Sequence, residues 1–404
     1  MKKIIVLIKK AYRELRIYGI RHVISGIRFY LQNKLFIKSF SFDYEFDRWK
    51  KYHNRQSNAA SRTVPEKDAS DIKKQKIAFL IPGTHISGGV GMVLQHANRL
   101  LRKGYDVEVF SLSNSDSIDW FPNQKVKIVP YRIAEGVMRS GSVDILIATN
   151  WSTVFTVDMS SARRKCYYVQ SDESRFFSED MVLTEKINVG YAIDFEYFTA
   201  ARWMQYWLKD AYGHDATYVP NGIDLDIFKK VGPIVQKTGK PRVLIEGSIN
   251  ISYKGMDDAY DAIKDLDCEI WIVSNNGKPR SHWRYDRFFE NVPFEKMHEL
   301  YSSCDIFLKM SRIEGFFGPP MEAMACGCAV VVGKVSGYDE YVVDGKNALV
   351  VDMGDVDAAK KSVEKLIRDA ELREKLIAGG YETIKDWSWE RSSHLMEKFL
   401  EPIL

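Results

Sequence analysis

The chain has 404 residues, of which 45% are hydrophobic, and its 58 basic and 54 acidic residues give a formal net charge of +4. One hydrophobic core rarely supports a chain of this length, so two domains are expected. Charges of both signs are interspersed and nearly balanced, which argues against a nucleic-acid-binding protein.

The N-terminus carries apolar and basic residues at helical spacing. Its apolar run is too short for a signal-peptide core or a membrane span. Such a helix either lies on an anionic membrane surface as a peripheral contact or packs on its own protein. The apolar face is Ile4, Leu7, Ile8, Tyr12 and Leu15, and the basic face is Lys9, Lys10, Arg13 and Arg16.

The segment from Phe46 to Gln75 is polar and charged without sustained periodicity, which predicts an irregular linker. Residues 1–75 are therefore interpreted as a basic N-terminal helical extension followed by a linker. The five cysteines are odd in number and scattered, which predicts buried reduced thiols of a cytoplasmic protein. Cys326 and Cys328 lack the spacing of a metal or redox pair.

A compact α/β fold is expected from Lys76 onward, because short apolar strands alternate there with helical or loop segments. The first strand, KIAFLI, enters a glycine-bearing loop and then a helix from about Met92 to Lys103. Further strands are predicted at DVEVFS, KVKIVP, VDILIA and CYYVQ. Residues 76–220 are thus expected to form one Rossmann-like domain.

A second series of strands follows the Pro220, Asn221 and Gly222 punctuation, at RVLIEGS, EIWIVSN, CDIFLKM, CAVVVG and ALVVD. Residues 221–385 are expected to form a second Rossmann-like domain. Ligands of such sheets bind at the carboxyl ends of the strands, so two facing domains make a cleft.

The stretch SRIEGFFGPPMEAMACGCAVVVG is the richest in chemistry. Glu314 is predicted to close a strand, and Gly315 and Gly318 allow the backbone to approach a ligand. The prolines that follow suit the first turn of a helix, whose exposed amides favour a diphosphate. Glu322, expected in that first turn, either accepts hydrogen bonds from ribose hydroxyls or merely complements the helix terminus.

From Glu314 to Gly327 this stretch resembles the retaining GT-B glycosyltransferases of family four, also called group one. Pro220 to Asp224 is similar to the interdomain junction of that family, and the resemblance runs from about Lys76 to the C-terminus. It implies two facing Rossmann-like domains with a parallel sheet each, a nucleotide-sugar donor and a glycan or lipid-linked glycan acceptor. It also implies retention of configuration without a metal or other cofactor, and a helix at 386–404 that returns to the first domain.

The resemblance assigns the donor to both sides of the cleft. Lys254 matches a lysine on the donor phosphates, with an ordinary surface lysine as the alternative. Ser248 stands where the family usually has an arginine, and Gly89 lies in a glycine loop, Gly88 to Gly91, that faces the phosphates. The implied donor-binding residues are Gly89, Gly247, Ser248, Lys254, Gly315, Phe316, Phe317, Gly318 and Glu322.

Glu314 and Asn150 are the catalytic candidates. Asn150 stands where many family members have a histidine, and an amide cannot shuttle a proton at physiological pH. The resemblance therefore implies a front-face route in which the leaving diphosphate helps to deprotonate the acceptor.

The sequence from Tyr167 to Phe177, with Trp151, is similar to bacterial rhamnosyltransferases that build surface polysaccharides from dTDP-rhamnose. That similarity implies acceptor or sugar contacts from Gln170, Asp172, Glu173 and Trp151. If the N-terminal helix lies on a membrane, it would hold the enzyme at the inner face of the cell membrane. A polar loop with buried aromatic residues is the alternative.

Three other functional classes stay open. A metal-dependent transferase would use an aspartate pair such as Asp224 with Asp226 or Asp265 with Asp267. A sugar-nucleotide epimerase shares the two-domain architecture. A catalytically silent partner that stabilises another transferase is compatible with Asn150 and Ser248 at their positions.

Overall fold

The structure, a computed structural model, describes residues 41–56, 72–121 and 124–401. The amphipathic segment predicted between Ile4 and Tyr18 lies outside these ranges. Within them, no helix is long and apolar enough to cross a membrane.

Seven parallel strands form the first sheet, in the order β3-β2-β1-β4-β5-β6-β7. Its central strands are apolar throughout because helices cover both faces, and Ile77 to Ile81 are fully buried. The strands are β1 Lys76–Ile81, β2 Asp106–Ser111, β3 Lys127–Val129, β4 Ile145–Ala148, β5 Arg164–Val169, β6 Glu196–Thr199 and β7 Ala216–Tyr218. The helices before and between them are α1 Phe42–Gln56, α2 Gly88–Arg102, α3 Tyr131–Arg139, α4 Val154–Asp158, α5 Met181–Tyr191 and α6 Arg202–Tyr212.

Six parallel strands form the second sheet, in the order β10-β9-β8-β11-β12-β13. The strands are β8 Arg242–Glu246, β9 Glu269–Ser274, β10 Arg287–Glu290, β11 Ile306–Lys309, β12 Ala329–Gly333 and β13 Leu349–Val351. The helices are α7 Met256–Ile263, α8 Met297–Ser303, α9 Gly318–Ala325, α10 Val356–Arg368, α11 Ala370–Ile384 and α12 Trp389–Leu400. The predicted α/β fold with one parallel sheet in each of two domains is confirmed. We call them the first and the second domain.

The linker predicted from Phe46 onward is wrong at its start, because α1 occupies Phe42–Gln56. The aromatic residues of α1 recur at helical spacing and pack on Phe155 of α4. The distance to the centroid of the Phe155 ring is 5.7 Å for the Phe42 ring and 5.0 Å for the Phe46 and Trp49 rings. The Trp49 indole also donates to Asp158 at 2.8 Å. Part of the N-terminal extension is therefore an ordered layer of the first domain.

The chain runs between the domains twice, and the two crossings lie side by side. Ile223 forms an isolated parallel bridge with Ser388, and its amide donates to Trp387 at 2.8 Å. A side chain at Gly222 would bring its Cβ to 2.5 Å from the Trp389 amide nitrogen, so only glycine fits this contact. Beyond the crossing, α12 packs on the first domain, with Phe399 against Phe198 at 4.6 Å.

All five cysteines are buried free thiols, as predicted. Burial raises the pKa of the Cys328 thiol to about 12, and its Sγ contacts the Tyr301 carbonyl oxygen at 3.0 Å. Such thiols pack as small apolar groups.

Candidate active site

The loops that carry Lys254 and Glu314 lie against each other beyond the carboxyl ends of β8 and β11. The sequence predicted that Glu314 closes a strand. In the structure Glu314 lies five residues past the end of β11, in the loop that follows it. Gly255 makes the contact between the loops. It has a φ of +62°, and a Cβ there would lie 1.9 Å from the Met310 carbonyl oxygen. Glycine is therefore required next to Lys254.

Lys254 and Glu314 form an ion pair, with Nζ 2.9 Å from Oε1 and little solvent access to the carboxylate. Burial alone raises the pKa of Glu314, but the ammonium groups of Lys254 and Lys309 outweigh it and hold the pKa below its ordinary value. Glu314 is therefore an anion at neutral pH. Lys254 is held in the site by this pair instead of extending into solvent.

Glu322 is the fifth residue of α9, which begins at Gly318, so it lies beyond the first turn where the sequence analysis placed it. Its Oε2 accepts a hydrogen bond from the Tyr301 hydroxyl at 3.2 Å. Burial, reinforced by the nearby Glu246 carboxylate, raises the pKa of Glu322 to about 7. The group therefore titrates near neutral pH.

A second ion pair, absent from the sequence predictions, lies beneath the site. The Lys309 ammonium, almost fully buried, donates to the Glu246 backbone oxygen at 2.9 Å and to its carboxylate at 2.6 Å. The signal in the sequence is a lysine at the end of the apolar strand IFLKM. The Lys309 charge helps to lower the pKa of Glu314 and opposes the rise in the pKa of Glu322, so it supports the charge balance of the whole cluster.

Gly315 joins the two domains. A Cβ at this residue would lie 1.7 Å from the backbone oxygen of Gln170, and the Gly315 carbonyl accepts from the Trp203 indole at 2.9 Å. The next residue, Phe316, packs against the cores of both domains. The Phe317 side chain is fully buried in the second domain, so only the backbone of this residue is available for the predicted donor contact.

Gln170 also contacts the predicted glycine loop. Its side-chain amide would lie 3.3 Å from a Cβ at Gly89, and it donates to the Thr149 carbonyl at 3.0 Å. The GGVG segment is the first turn of α2, which begins at Gly88, four residues before the expected start. Its first amides therefore lie at a helix N-terminus, a position that suits anions, whereas the Gly91 amide donates to the Ser87 carbonyl at 2.9 Å.

Asn150, Trp151 and Glu173 form one internal network in the first domain. Buried Glu173 accepts hydrogen bonds from the Asn150 amide, the Trp151 backbone at 2.7 Å and the Tyr167 hydroxyl at 3.1 Å. Burial raises the pKa of Glu173 to about 8. The carboxylate is thus occupied within its own domain, which contradicts direct sugar contact by Glu173 and makes it a support of the loop.

The side chains of three further residues predicted for the site are also engaged with other parts of the protein. The Trp151 ring packs edge-on against Phe42 at 4.5 Å, so it belongs to the contact with α1. Asp172 caps a short 3₁₀ helix, Glu173–Phe177, by accepting from the Ser174 amide at 3.2 Å. The Asn150 side-chain oxygen accepts from the Ser152 hydroxyl at 2.8 Å. A sugar would have to displace these partners or bind elsewhere.

Gly247 and Ser248 lie where β8 ends. A Cβ at Gly247 would be 3.0 Å from the Met256 sulfur, and the Ser248 hydroxyl donates to Asn275 at 2.5 Å. Ser248 therefore brings a neutral group to this edge of the site.

The aspartate pairs of the metal-dependent alternative lie apart from this cluster. Asp224, in the interdomain crossing, is 3.4 Å from Arg99, while Asp267 pairs with Lys240 on the surface. In the part of the chain that the structure describes, no group of three or more acidic, histidine or cysteine side chains could hold a metal ion.

Comparison with known proteins gives a family for part of the chain. Residues 287–383 match the family described as glycosyl transferases group 1. An uncharacterised glycosyltransferase of Methanocaldococcus jannaschii is 26% identical over 202 residues, which cover 46% of this chain and 58% of the relative. The O-antigen chain mannosyltransferase B of Escherichia coli is 36% identical over 121 residues, 30% of each chain. The chain thus spans only part of the length of these curated relatives.

A solved structure, that of HepE from Anabaena in complex with UDP-glucose, superposes with a TM-score of 0.67 at 15% identity. The match covers 80% of this chain and 98% of that one. Since the likeness extends over both sheets, the chain has the GT-B fold, and residues 287–383 of its second domain match the family described as glycosyl transferases group 1.

Proposed function

We propose that this protein transfers a sugar from a nucleotide-sugar donor to a glycan acceptor, with retention of anomeric configuration and without a metal ion. The proposal is supported above all by the ion pair of Lys254 with Glu314 beside Glu322, at the strand ends of a domain matching group 1 glycosyl transferases. Enzymes of open α/β sheets bind their ligands at this edge.

Each charged group of the cluster has a proposed role. The donor diphosphate binds the Lys254 ammonium beside the N-terminal end of α9. This helix end contributes its dipole and not its amides, because Pro319 and Pro320 have no amide hydrogen and the Gly318 amide donates to the Phe316 carbonyl. Glu322 accepts hydrogen bonds from the ribose, and Glu314 contacts the transferred sugar. Lys309, paired with Glu246, supplies positive charge near both carboxylates.

The proposed transfer step uses the leaving group as the base. The acceptor oxygen forms a bond to the anomeric carbon while the bond from that carbon to the diphosphate oxygen breaks, and the electron pair leaves with the diphosphate. The acceptor proton moves to a diphosphate oxygen on the same face of the sugar. Asn150 cannot take this proton because an amide is not a base near neutral pH.

The donor sugar is proposed to be a hexose or a 6-deoxyhexose. The motif around Gln170 implies dTDP-rhamnose, whereas the matched Escherichia coli protein is named a mannosyltransferase and HepE was solved with UDP-glucose. The proposed acceptor is a lipid-linked or surface glycan, presented at the membrane face to which residues 4–18 would bring the enzyme. A thermal-shift panel of nucleotide sugars identifies the donor, since a tight ligand raises the melting temperature.

A non-catalytic partner that binds the same donor is the second candidate. It is favoured by the Asn150 side chain, whose amide and oxygen are both engaged within the first domain. Donor hydrolysis or sugar transfer by the purified protein, with EDTA present, would exclude this candidate and the metal-dependent transferase together.

Replacing Lys254 with alanine is expected to weaken binding of the nucleoside diphosphate by about 1.5 to 3 kcal/mol, the worth of a charge-assisted hydrogen bond. Calorimetric titration with UDP, GDP and dTDP measures the loss. Lys264→Ala, which removes an exposed lysine of the same domain, is the control. Unchanged affinity in both Lys254→Ala and Glu322→Gln would contradict the proposed donor site.

Binding of a nucleotide sugar is expected to weaken as the pH falls below about 7. Glu322 has a pKa raised to about 7, and only its ionised form accepts two hydroxyl hydrogen bonds. Below this pKa the donor must displace a proton, so the dissociation constant rises by up to about tenfold per pH unit. Glu322→Gln should lower affinity at pH 8 and flatten this dependence.

The measurement compares wild type and Glu322→Gln between pH 5.5 and 8.5 with an intact nucleotide sugar, because its diphosphate does not titrate in this range. Buried Glu173 titrates in both proteins and cancels in the comparison. The same slope in both proteins would refute the assignment of the pH dependence to Glu322.

A further inference from the structure

The 3₁₀ helix Glu173–Phe177 of the first domain reaches across the cleft to the second domain. The Phe176 ring stacks on the Tyr253 ring, with centroids 5.2 Å apart and planes 22° apart. The Arg175 guanidinium donates to the Ser336 hydroxyl at 2.9 Å and to the Arg312 backbone oxygen at 3.4 Å. Two consecutive side chains therefore bridge the domains.

These contacts fall on the loops that carry the charged cluster. Tyr253 precedes Lys254, and Arg312 lies two residues before Glu314. The Arg312 amide donates to the Tyr253 backbone oxygen at 2.7 Å, so the two loops are joined at this point. The Arg175 guanidinium thus lies at the junction from which Lys254 and Glu314 extend.

Arg175 differs from its cationic neighbours in having neutral partners. Lys254 is paired with Glu314, and Arg312 is paired with Asp258 at 2.7 Å. Among the described residues, no carboxylate lies within ion-pair distance of Arg175, whose two hydrogen bonds go to a hydroxyl and a carbonyl. Its positive charge is therefore uncompensated in the closed cleft.

We propose that Arg175 is a donor-binding residue that the first domain supplies to the diphosphate of the nucleotide sugar. The inference rests on the proposed function, since it assigns a residue to the same donor site. A diphosphate needs more positive charge than Lys254 alone provides, because Glu314 partly neutralises that lysine and Ser248 adds none. A guanidinium offers a planar pair of donors that match a phosphate, and a charged acceptor outcompetes the two neutral ones.

The arrangement also couples donor binding to domain closure. Arg175 reaches the donor site only while Phe176 rests on Tyr253, so the diphosphate stabilises the closed form by contacting both domains. A nucleoside without phosphates contacts only the second domain and gains nothing from Arg175.

The test measures affinities for UDP, GDP and dTDP and for the matching nucleosides, the latter by competition. It compares wild type, Arg175→Gln, Arg175→Lys and the control Arg132→Gln, which changes an exposed arginine of α3. In Arg175→Gln the diphosphate affinity should fall at least tenfold with a weaker salt dependence, while nucleoside affinity stays the same. Arg175→Lys should restore part of the loss, and the control should match wild type.

The outcomes separate this inference from the proposed function. Unchanged diphosphate affinity in Arg175→Gln, or an equal loss for nucleosides and diphosphates, overturns the role of Arg175 and leaves the donor site intact. If wild type binds none of the three diphosphates, the proposed function fails and the inference fails with it.

Discussion

Replacing Gly315 with alanine is expected to reduce sugar transfer by at least about 100-fold while both domains stay folded. The added Cβ would lie 1.7 Å from the Gln170 backbone oxygen, which belongs to the other domain. A backbone carbonyl cannot rotate away as a side chain would, so the domains have to move apart. A displacement of about 1 Å at a reacting centre can cost on the order of 10²-fold in rate.

The predicted loss of sugar transfer in Gly315→Ala can be told apart from a loss of folding, because the clash lies between the domains and not within the core of either one. The melting temperature should change little, and solution scattering with donor present should show a less compact particle than wild type. Gly333→Ala, whose Cβ would meet Met310 Cα at an ordinary 3.9 Å, is the matched control. Full transfer activity in Gly315→Ala would show that the closed contact is not needed for catalysis.

Other contacts around Gly315 support closure as the active arrangement. A Cβ at Gly337 of the second domain, whose φ is +80°, would lie 3.0 Å from the indole nitrogen of Trp203 in the first domain. The Glu340 carboxylate accepts from the Arg202 amide and from the Tyr218 hydroxyl, the latter at 2.7 Å. Backbone, aromatic and charged groups of the two domains are therefore in contact near Gly315, the residue that follows Glu314.

The fold could be predicted from the sequence where a buried strand is bounded by turn residues. Both β1 and β2 run over the predicted residues, because every inward position is apolar on a sheet covered on both faces. Strand β6, only four residues long, was missed because its pairing with β5 defines it more than its composition does. The sequence does not predict α1, because its repeat of aromatic residues begins at Phe42, before the polar segment from Phe46 to Gln75.

The site could be predicted only for residues whose role follows from a local motif. Glu314 and Lys254 lie 60 positions apart, and each was predicted from its own motif; the structure brings the two side chains together in an ion pair, and their role in donor binding stays a prediction. The pair of Lys309 with Glu246 depends on β11 lying next to β8, and strand order is not readable from one sequence. Glu173 shows the reverse case, because its burial and its hydrogen bonds from Asn150, Trp151 and Tyr167 depend on packing that no local motif describes.

Glu314→Gln is expected to lower turnover by about 100-fold, since a carboxylate aimed at the developing positive charge of the sugar acts mainly in the transition state. Nucleoside diphosphate affinity should stay the same or rise, because the substitution releases Lys254 from its ion pair and leaves the full ammonium charge to the phosphates. Lys254→Ala loses affinity instead, so the two partners of one ion pair should have opposite effects on binding. Steady-state kinetics with calorimetric titration, applied to both single variants and the double variant, measures this coupling. Equal losses of nucleoside diphosphate affinity in the two single variants would assign Glu314 to the phosphates or the ribose. Equal losses of folding stability with unchanged kinetics would show that the ion pair is only a structural contact.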